Sequence, residues 1–185
     1  RVLFRSCTAM FGSTIAWAQV EVQTVNHQTA GTILAAKVSG DIAPGDYELL
    51  LKGIIANPGK YTRKILILDN IGGSVQEAIR MGRLLRETGF DALVPAAAVC
   101  QGSCVYLLAA GRIKTVRGHV GIHRPYFASG DSAQAQLATK GSNYTSAAYF
   151  REMGIPANFV EVMQATEPSQ MRVLSAQDLK RYRLN

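Results

Sequence analysis

The stretch that decides the fold is KILILDNIGGSV, residues 64–75. Its first half, 64–69, carries a continuous apolar run of strand length, which is typical of a strand buried on both faces in a parallel sheet. The two glycines in residues 70–74 predict a turn. A helix should follow, because apolar side chains recur at helical spacing from Val75 and Gly89 supplies a stop signal. A strand, a turn and a helix in this order indicate an α/β domain.

The same alternation continues on both sides of this stretch. Further strands are predicted at 32–38, 92–99, 113–116 and 120–123, and further helices at 47–56, 102–110, 133–151, 157–165 and from Ser175 onward. Ligands of open α/β sheets bind beyond the carboxyl ends of the strands. Because Gly72-Gly73 and Gly102-Ser103 both follow predicted strands, we expect the functional site there.

The N-terminal segment has the features of a secretion signal. Arg1 and Arg5 give it a positive start, and Ala16-Trp17-Ala18 matches an A-x-A cleavage site after a mainly apolar stretch. We therefore predict a signal peptide at 1–18, an N-terminal extension at 19–31 and one domain at 32–185. The protein would be periplasmic or secreted, without a stable membrane span. An attached amphipathic helix is the alternative interpretation of the first residues.

Composition narrows the possible partners and cofactors. The net charge of +7 favours anionic partners, but the basic residues are scattered and not interleaved with aromatic side chains, so we expect no nucleic-acid binding. No phosphate-loop or dinucleotide motif is present, and we expect no cofactor. Cys100 and Cys104 lack a second cysteine pair, so we expect no metal. They form either a disulfide in an oxidising compartment or two small buried thiols.

Three features are candidates for chemistry at the expected site. Gly72-Gly73 could present backbone N–H groups to an oxyanion, although a plain tight turn explains the pair equally. Ser103 stands where a strand enters a helix, a position that suits a nucleophile or an ordinary N-cap serine. His123 ends a short strand and is a candidate general base, with a structural histidine as the alternative.

The order of these motifs resembles the proteolytic subunit of Clp proteases and its exported relatives, within the wider Clp/crotonase fold. The resemblance runs from about Thr32 to Leu184. The segments that carry it are LDNIGGSV at 68–75, LLAAG at 107–111, IHRP at 122–125 and LSA at 174–176. It implies a Clp/crotonase-type α/β fold in which helices flank a mainly parallel sheet. It also implies a homo-oligomer assembled through the helix at 133–151.

The same resemblance assigns roles at the site. Ser103 would be the nucleophile and His123 the general base. The oxyanion hole would consist of N–H groups from Gly72, Gly73 and Cys104. The substrate would be a peptide or a protein.

Two positions depart from the family pattern. The family's serine lies nine residues before the glycine that closes LLAAG, and Gly102 occupies that place here. Either the register shifts by one residue to Ser103, or the nucleophile is missing. The family's aspartate precedes an Arg-x-Leu-Ser-Ala segment, and Met171 occupies that place here. Glu167, Asp178 or a backbone carbonyl would then have to orient the imidazole.

These observations leave three hypotheses. The leading one is an exported serine hydrolase of the Clp-protease type, acting as a peptidase. The alternative, motivated by Gly102 and Met171, is a catalytically degenerate Clp-like binding or assembly protein. A crotonase-type acyl-thioester enzyme is the third, and the signal-like N-terminus argues against it because coenzyme A is cytoplasmic.

Overall fold

The computed structural model of the chain describes residues 19–125 and 145–185. The strands are β1 (Gln19–His27), β2 (Gly31–Ile42), β3 (Arg63–Gly73), β4 (Asp91–Val94), β5 (Val99–Gln101), β6 (Lys114–Val116), β7 (His119–Ile122) and β8 (Arg172–Val173). The helices are α1 (Asp46–Ala56), α2 (Val75–Thr88), α3 (Cys104–Ala110), α4 (Ser146–Glu152), α5 (Ala157–Ala165) and α6 (Ala176–Arg181).

All of these strands join one eight-stranded mixed sheet. The main path runs β1-β2-β3-β5-β7-β8, while β4 pairs with β3 and β6 with β4. The inner pairings, from β2 to β7 and including the β4–β6 branch, are parallel. The outer pairs β1–β2 and β7–β8 are antiparallel. The α/β class with flanking helices is therefore confirmed, and the sheet is parallel in its interior only.

The core lies on one face of this sheet. Leu66 and Leu68 of β3 are fully buried and join α2 and α3 in a single apolar cluster. Their neighbours Ile65 and Ile67 point to the other face and are only half-buried. The expectation that this strand is buried on both faces is thus wrong for the part of the chain that the structure describes.

Helix α2 forms where local signals predict it. The Ser74 side chain accepts a hydrogen bond from the Glu77 N–H at 3.3 Å and caps the first turn. Gly89 ends the helix in the left-handed conformation, with φ 83°. Among the described helices, none is long and apolar enough to cross a bilayer.

Three predicted boundaries are wrong, because strand pairing and turns override the local sequence signals. The turn at 70–74 is mostly strand, since β3 stays paired to β2 up to the Ile42–Gly73 pair. The single strand at 92–99 is two strands, β4 and β5, separated by a turn that begins at Pro95. The helix at 102–110 begins later, at Cys104.

Two further predictions concern the chain ends of the domain. The segment 19–31 contains β1, which pairs with β2 over nine residues and is part of the sheet. Residues 133–144 of the predicted long helix lie outside the described residues. The described part of the predicted helix starts at Thr145, which has an extended backbone and is the N-cap of α4. Its Oγ1 accepts a hydrogen bond from the Ala148 N–H at 3.2 Å, so α4 begins at Ser146.

Candidate functional site

The candidate site lies at the carboxyl ends of β3, β5 and β7, which are adjacent in the sheet. Asn70 of β3 pairs with Cys100 of β5, and Gln101 of β5 pairs with Gly121 of β7. The residues that follow these pairs are the glycine pair of β3, the Gly102-Ser103 turn and His123. The structure therefore brings together the three features that the sequence singled out.

A disulfide fixes the central turn. Cys100 and Cys104 are bonded to each other, with Cα atoms 5.2 Å apart, and both are fully buried. The bond ties the middle of β5 to the first residue of α3 and encloses residues 101–103. Of the two states that the sequence left open, the structure has the disulfide.

Gly102 is the residue of this turn that faces the histidine. A Cβ atom placed on it would lie 3.0 Å from His123 Nε2 and 3.6 Å from the Ile71 carbonyl oxygen. Its N–H donates to the Gly121 carbonyl at 3.0 Å, and its φ of 56° is in the left-handed region that favours glycine. In hydrolases with a nucleophile elbow, the serine likewise sits on a strained turn between strand and helix.

The side chain of Ser103 has a different partner. Ser103 is 5% exposed, and its Oγ donates to the Gly73 carbonyl at 3.1 Å. It makes no side-chain cap bond at the start of α3. Among the described residues, the hydroxyl thus ties the start of α3 to the end of β3.

The imidazole of His123 is held by its own backbone neighbour. Its Nδ1 lies 2.8 Å from the Arg124 carbonyl oxygen. A carbonyl only accepts, so we assign the proton to Nδ1. In the neutral ring this leaves the lone pair on Nε2, the nitrogen that faces Gly102. That is the tautomer a general base needs.

The two carboxylates proposed to orient the imidazole have other partners. Glu167 forms an ion pair with Arg124 at 2.7 Å, with both side chains about half exposed. Asp178 completes the capping box of α6 with Ser175 and lies 3.5 Å from Arg172. The backbone hydrogen bond from Ser175 is the main reason that the pKa of Asp178 is lowered. The carbonyl of Arg124 is one group within hydrogen-bond distance of the imidazole, at 2.8 Å from Nδ1.

Met171 lies beside the site on the edge strand. Gly121 pairs with Val173 and Ile122 with Arg172, so the next step of this register brings Met171 level with His123. The Met171 sulfur fills the space where a Cβ on Gly121 would be. An apolar thioether therefore packs at the position where the resemblance implies an aspartate.

The predicted oxyanion donors are partly engaged. The Gly72 N–H donates to Asn70 Oδ1 at 2.9 Å. Gly73 has φ 132°, and a Cβ there would collide with the Ile42 backbone. Asn70 is fully buried, and its Nδ2 has no hydrogen-bond partner in the part of the chain that the structure describes. Asn70 was not among the residues predicted for the site, although an Asn two residues before a glycine is a known turn signal.

The described residues offer no other centre of comparable chemistry. No group of three or more His, Cys, Asp or Glu side chains within them could hold a metal ion. A cavity of about 200 Å³ lies elsewhere, beside α1 and α2; its lining residues are Tyr47, Arg80, Arg83, Leu84 and Glu87. Arg80 in that cavity stacks on Tyr47 and pairs with Glu48 and Glu77, so its charge is already balanced.

Comparison of the chain with models of known protein families and with curated protein sequences found no match.

Proposed function

We propose that this chain is a Clp/crotonase-type protein that binds a peptide or protein partner without cleaving it. The observation that carries the proposal is that Gly102, which has no side chain, occupies the position facing His123. A Cβ atom placed on Gly102 would lie 3.0 Å from His123 Nε2. The neighbouring hydroxyl of Ser103 is committed to the Gly73 carbonyl. Removing the nucleophile of a serine site lowers its rate by several orders of magnitude.

Two further observations support the proposal. The Met171 thioether packs beside Gly121, at the position where the resemblance implies the aspartate of the triad. The disulfide between Cys100 and Cys104 fits an exported protein, since such bonds persist in oxidising compartments. Homo-oligomer assembly is a part of the proposal that the resemblance alone supports, and sedimentation of the purified protein tests it.

A fluorophosphonate probe tests the absence of hydrolase chemistry. The probe reacts when a serine Oγ bonds to its phosphorus and fluoride leaves, while a base takes the hydroxyl proton. We expect no labelling of the unaltered protein or of Ser103→Ala. Gly102→Ser places a hydroxyl in front of His123 after the ring shifts by a few tenths of an ångström away from the added Cβ. It is expected to label, at a cost of about 1–2 kcal/mol for its left-handed backbone.

Labelling of the unaltered protein would instead support the serine peptidase hypothesis. Labelling of the unaltered protein that disappears in Ser103→Ala would identify Ser103 as a working nucleophile and overturn the proposal. The binding part is tested separately with reduced, carboxymethylated α-lactalbumin as an unfolded ligand. Saturable binding, with the ligand intact by mass spectrometry, is expected, and absence of binding would contradict it.

A further inference from the structure

The proposed function does not account for the hydrogen bond that the Gly72 N–H makes within the chain. A donor at this position would have to meet the carbonyl oxygen of a bound peptide, yet it already donates to Asn70 Oδ1 at 2.9 Å. A side-chain amide oxygen and a peptide carbonyl oxygen are the same kind of acceptor. The chain therefore holds its own substitute for a ligand carbonyl at this amide.

An asparagine at position 70 destabilises the fold unless its contact with the Gly72 N–H compensates. Asn70 is fully buried and pairs with Cys100, and its Nδ2 has no hydrogen-bond partner among residues 19–125 and 145–185. An unpartnered buried donor costs about 1–3 kcal/mol. A smaller side chain would avoid that cost but would leave the Gly72 N–H without an acceptor. The Oδ1 contact is thus what the residue contributes.

We propose that Asn70 is an autoinhibitory residue, which competes with the carbonyl oxygen of a bound peptide for the Gly72 N–H. The inference rests on the proposed function, because it takes the end of β3 to be where the ligand binds. Besides lacking a nucleophile, the site would then also have an occupied oxyanion donor. A ligand gains the Gly72 donor only when the Asn70 side chain gives it up.

The alternative is a purely structural turn in which Asn70 holds the glycine pair in place. The two interpretations predict opposite signs. If Asn70 competes, Asn70→Ala in the Gly102→Ser background raises the labelling rate, by ~10- to 100-fold, since one oxyanion donor is worth about 10²–10³ in rate. If Asn70 only supports the turn, the same change lowers the rate.

The test compares labelling rates of Gly102→Ser with and without Asn70→Ala. Asn70→Asp keeps the acceptor and is expected to leave the rate low. Asn158→Ala is the matched control, because Asn158 in α5 also has a buried side-chain atom, Oδ1, that no described residue contacts by a hydrogen bond. It is expected to leave the rate unchanged. A rate that is equal or lower in the Asn70→Ala double variant would overturn the inference.

A second measurement does not depend on the Gly102→Ser variant. Asn70→Ala alone is expected to bind carboxymethylated α-lactalbumin about 10-fold more tightly than the unaltered protein, and equal or weaker binding would overturn the inference. Failure of the proposed function looks different. It would appear as labelling of the unaltered protein at Ser103, or as no binding of carboxymethylated α-lactalbumin by the unaltered protein, whatever the effect of Asn70→Ala on the labelling rate of Gly102→Ser.

Discussion

At the scale of single residues, one position along the chain decides the chemistry of the site. A shift of one residue on a helix rotates a side chain by about 100°. Gly102 and Ser103 are adjacent, yet one faces His123 Nε2 and the other bonds to the Gly73 carbonyl. Both residues could be located from the sequence, but the choice between them depends on the backbone of the turn.

Lys114 provides a residue-scale prediction of pH dependence. Burial, and secondarily the charge of Arg86, lowers the pKa of Lys114 from 10.5 to about 8. Below pH 8 the ammonium is charged in both states, and the fold bears the cost of keeping it charged. Between 8 and 10.5 the folded state loses the proton first, so the free energy of unfolding rises with pH.

Lys114→Met should therefore stabilise the protein at pH 7. We expect the free energy of unfolding to rise by about 1 kcal/mol. This is less than the full pKa shift would give, because Lys114 is partly exposed and solvent screens its charge. The gain should shrink as the pH approaches 10.5, the ordinary value for lysine. Urea unfolding at pH 7 and pH 10 measures it, with the exposed Lys60→Met as the control. A variant that is no more stable than the parent at pH 7 would contradict the prediction.

At the scale of elements, local signals were sufficient for some helices and insufficient for the strand ends. The bounds of α5 and the Gly89 stop of α2 follow from capping and chain-breaking residues next to them. The end of β3 could not be predicted, because pairing with β2 carries Gly72 and Gly73 into the sheet despite their turn preference. The candidate site could be located because strand ends of a parallel sheet converge, whereas the contact between Asn70 and the Gly72 N–H depends on the backbone at the end of β3.

The disulfide that joins β5 to α3 gives an element-scale prediction. Its loop is short, so replacing Cys100 and Cys104 by alanine should cost about 2 kcal/mol of stability. Guanidinium unfolding of the double variant, with and without reductant, measures this cost. The double variant should be insensitive to reductant, and the parent should reach the same stability only after its buried disulfide is reduced in denaturant. Equal stability of parent and double variant would contradict the prediction.

At the scale of the whole molecule, the sheet is larger than the sequence suggested. The segment 19–31 was expected to be an extension of the domain, yet β1 pairs with β2 from Gln19–Ser39 to His27–Gly31. Val22 of β1 packs against Gly53 of α1, where there is no side chain in its way. The described N-terminal strand is therefore held both by the sheet and by a helix.

Truncation tests the contribution of β1 to the whole fold. The comparison chain starts at Gln19 and keeps β1. A chain that starts at Gly31 loses the burial of Val20 and Val22, which at about 1.5 kcal/mol each amounts to about 3 kcal/mol. It also exposes the edge of β2 and should associate. Equal stability of the two truncated chains would show that β1 contributes nothing.

The pairing of β1 with β2 also has a consequence for the order of folding. These strands form a hairpin across a turn of three residues, whereas the parallel pairs Ile33–Arg63 and Asn70–Cys100 each bring together residues 30 apart. Hairpins close in microseconds, and pairings between distant segments wait for longer loops to close. We therefore expect the hairpin to be protected first during refolding, and to serve as the template on which β3 and then β5 assemble. Pulsed hydrogen exchange would reveal the opposite order if the inner strands were protected before Val20–Val25.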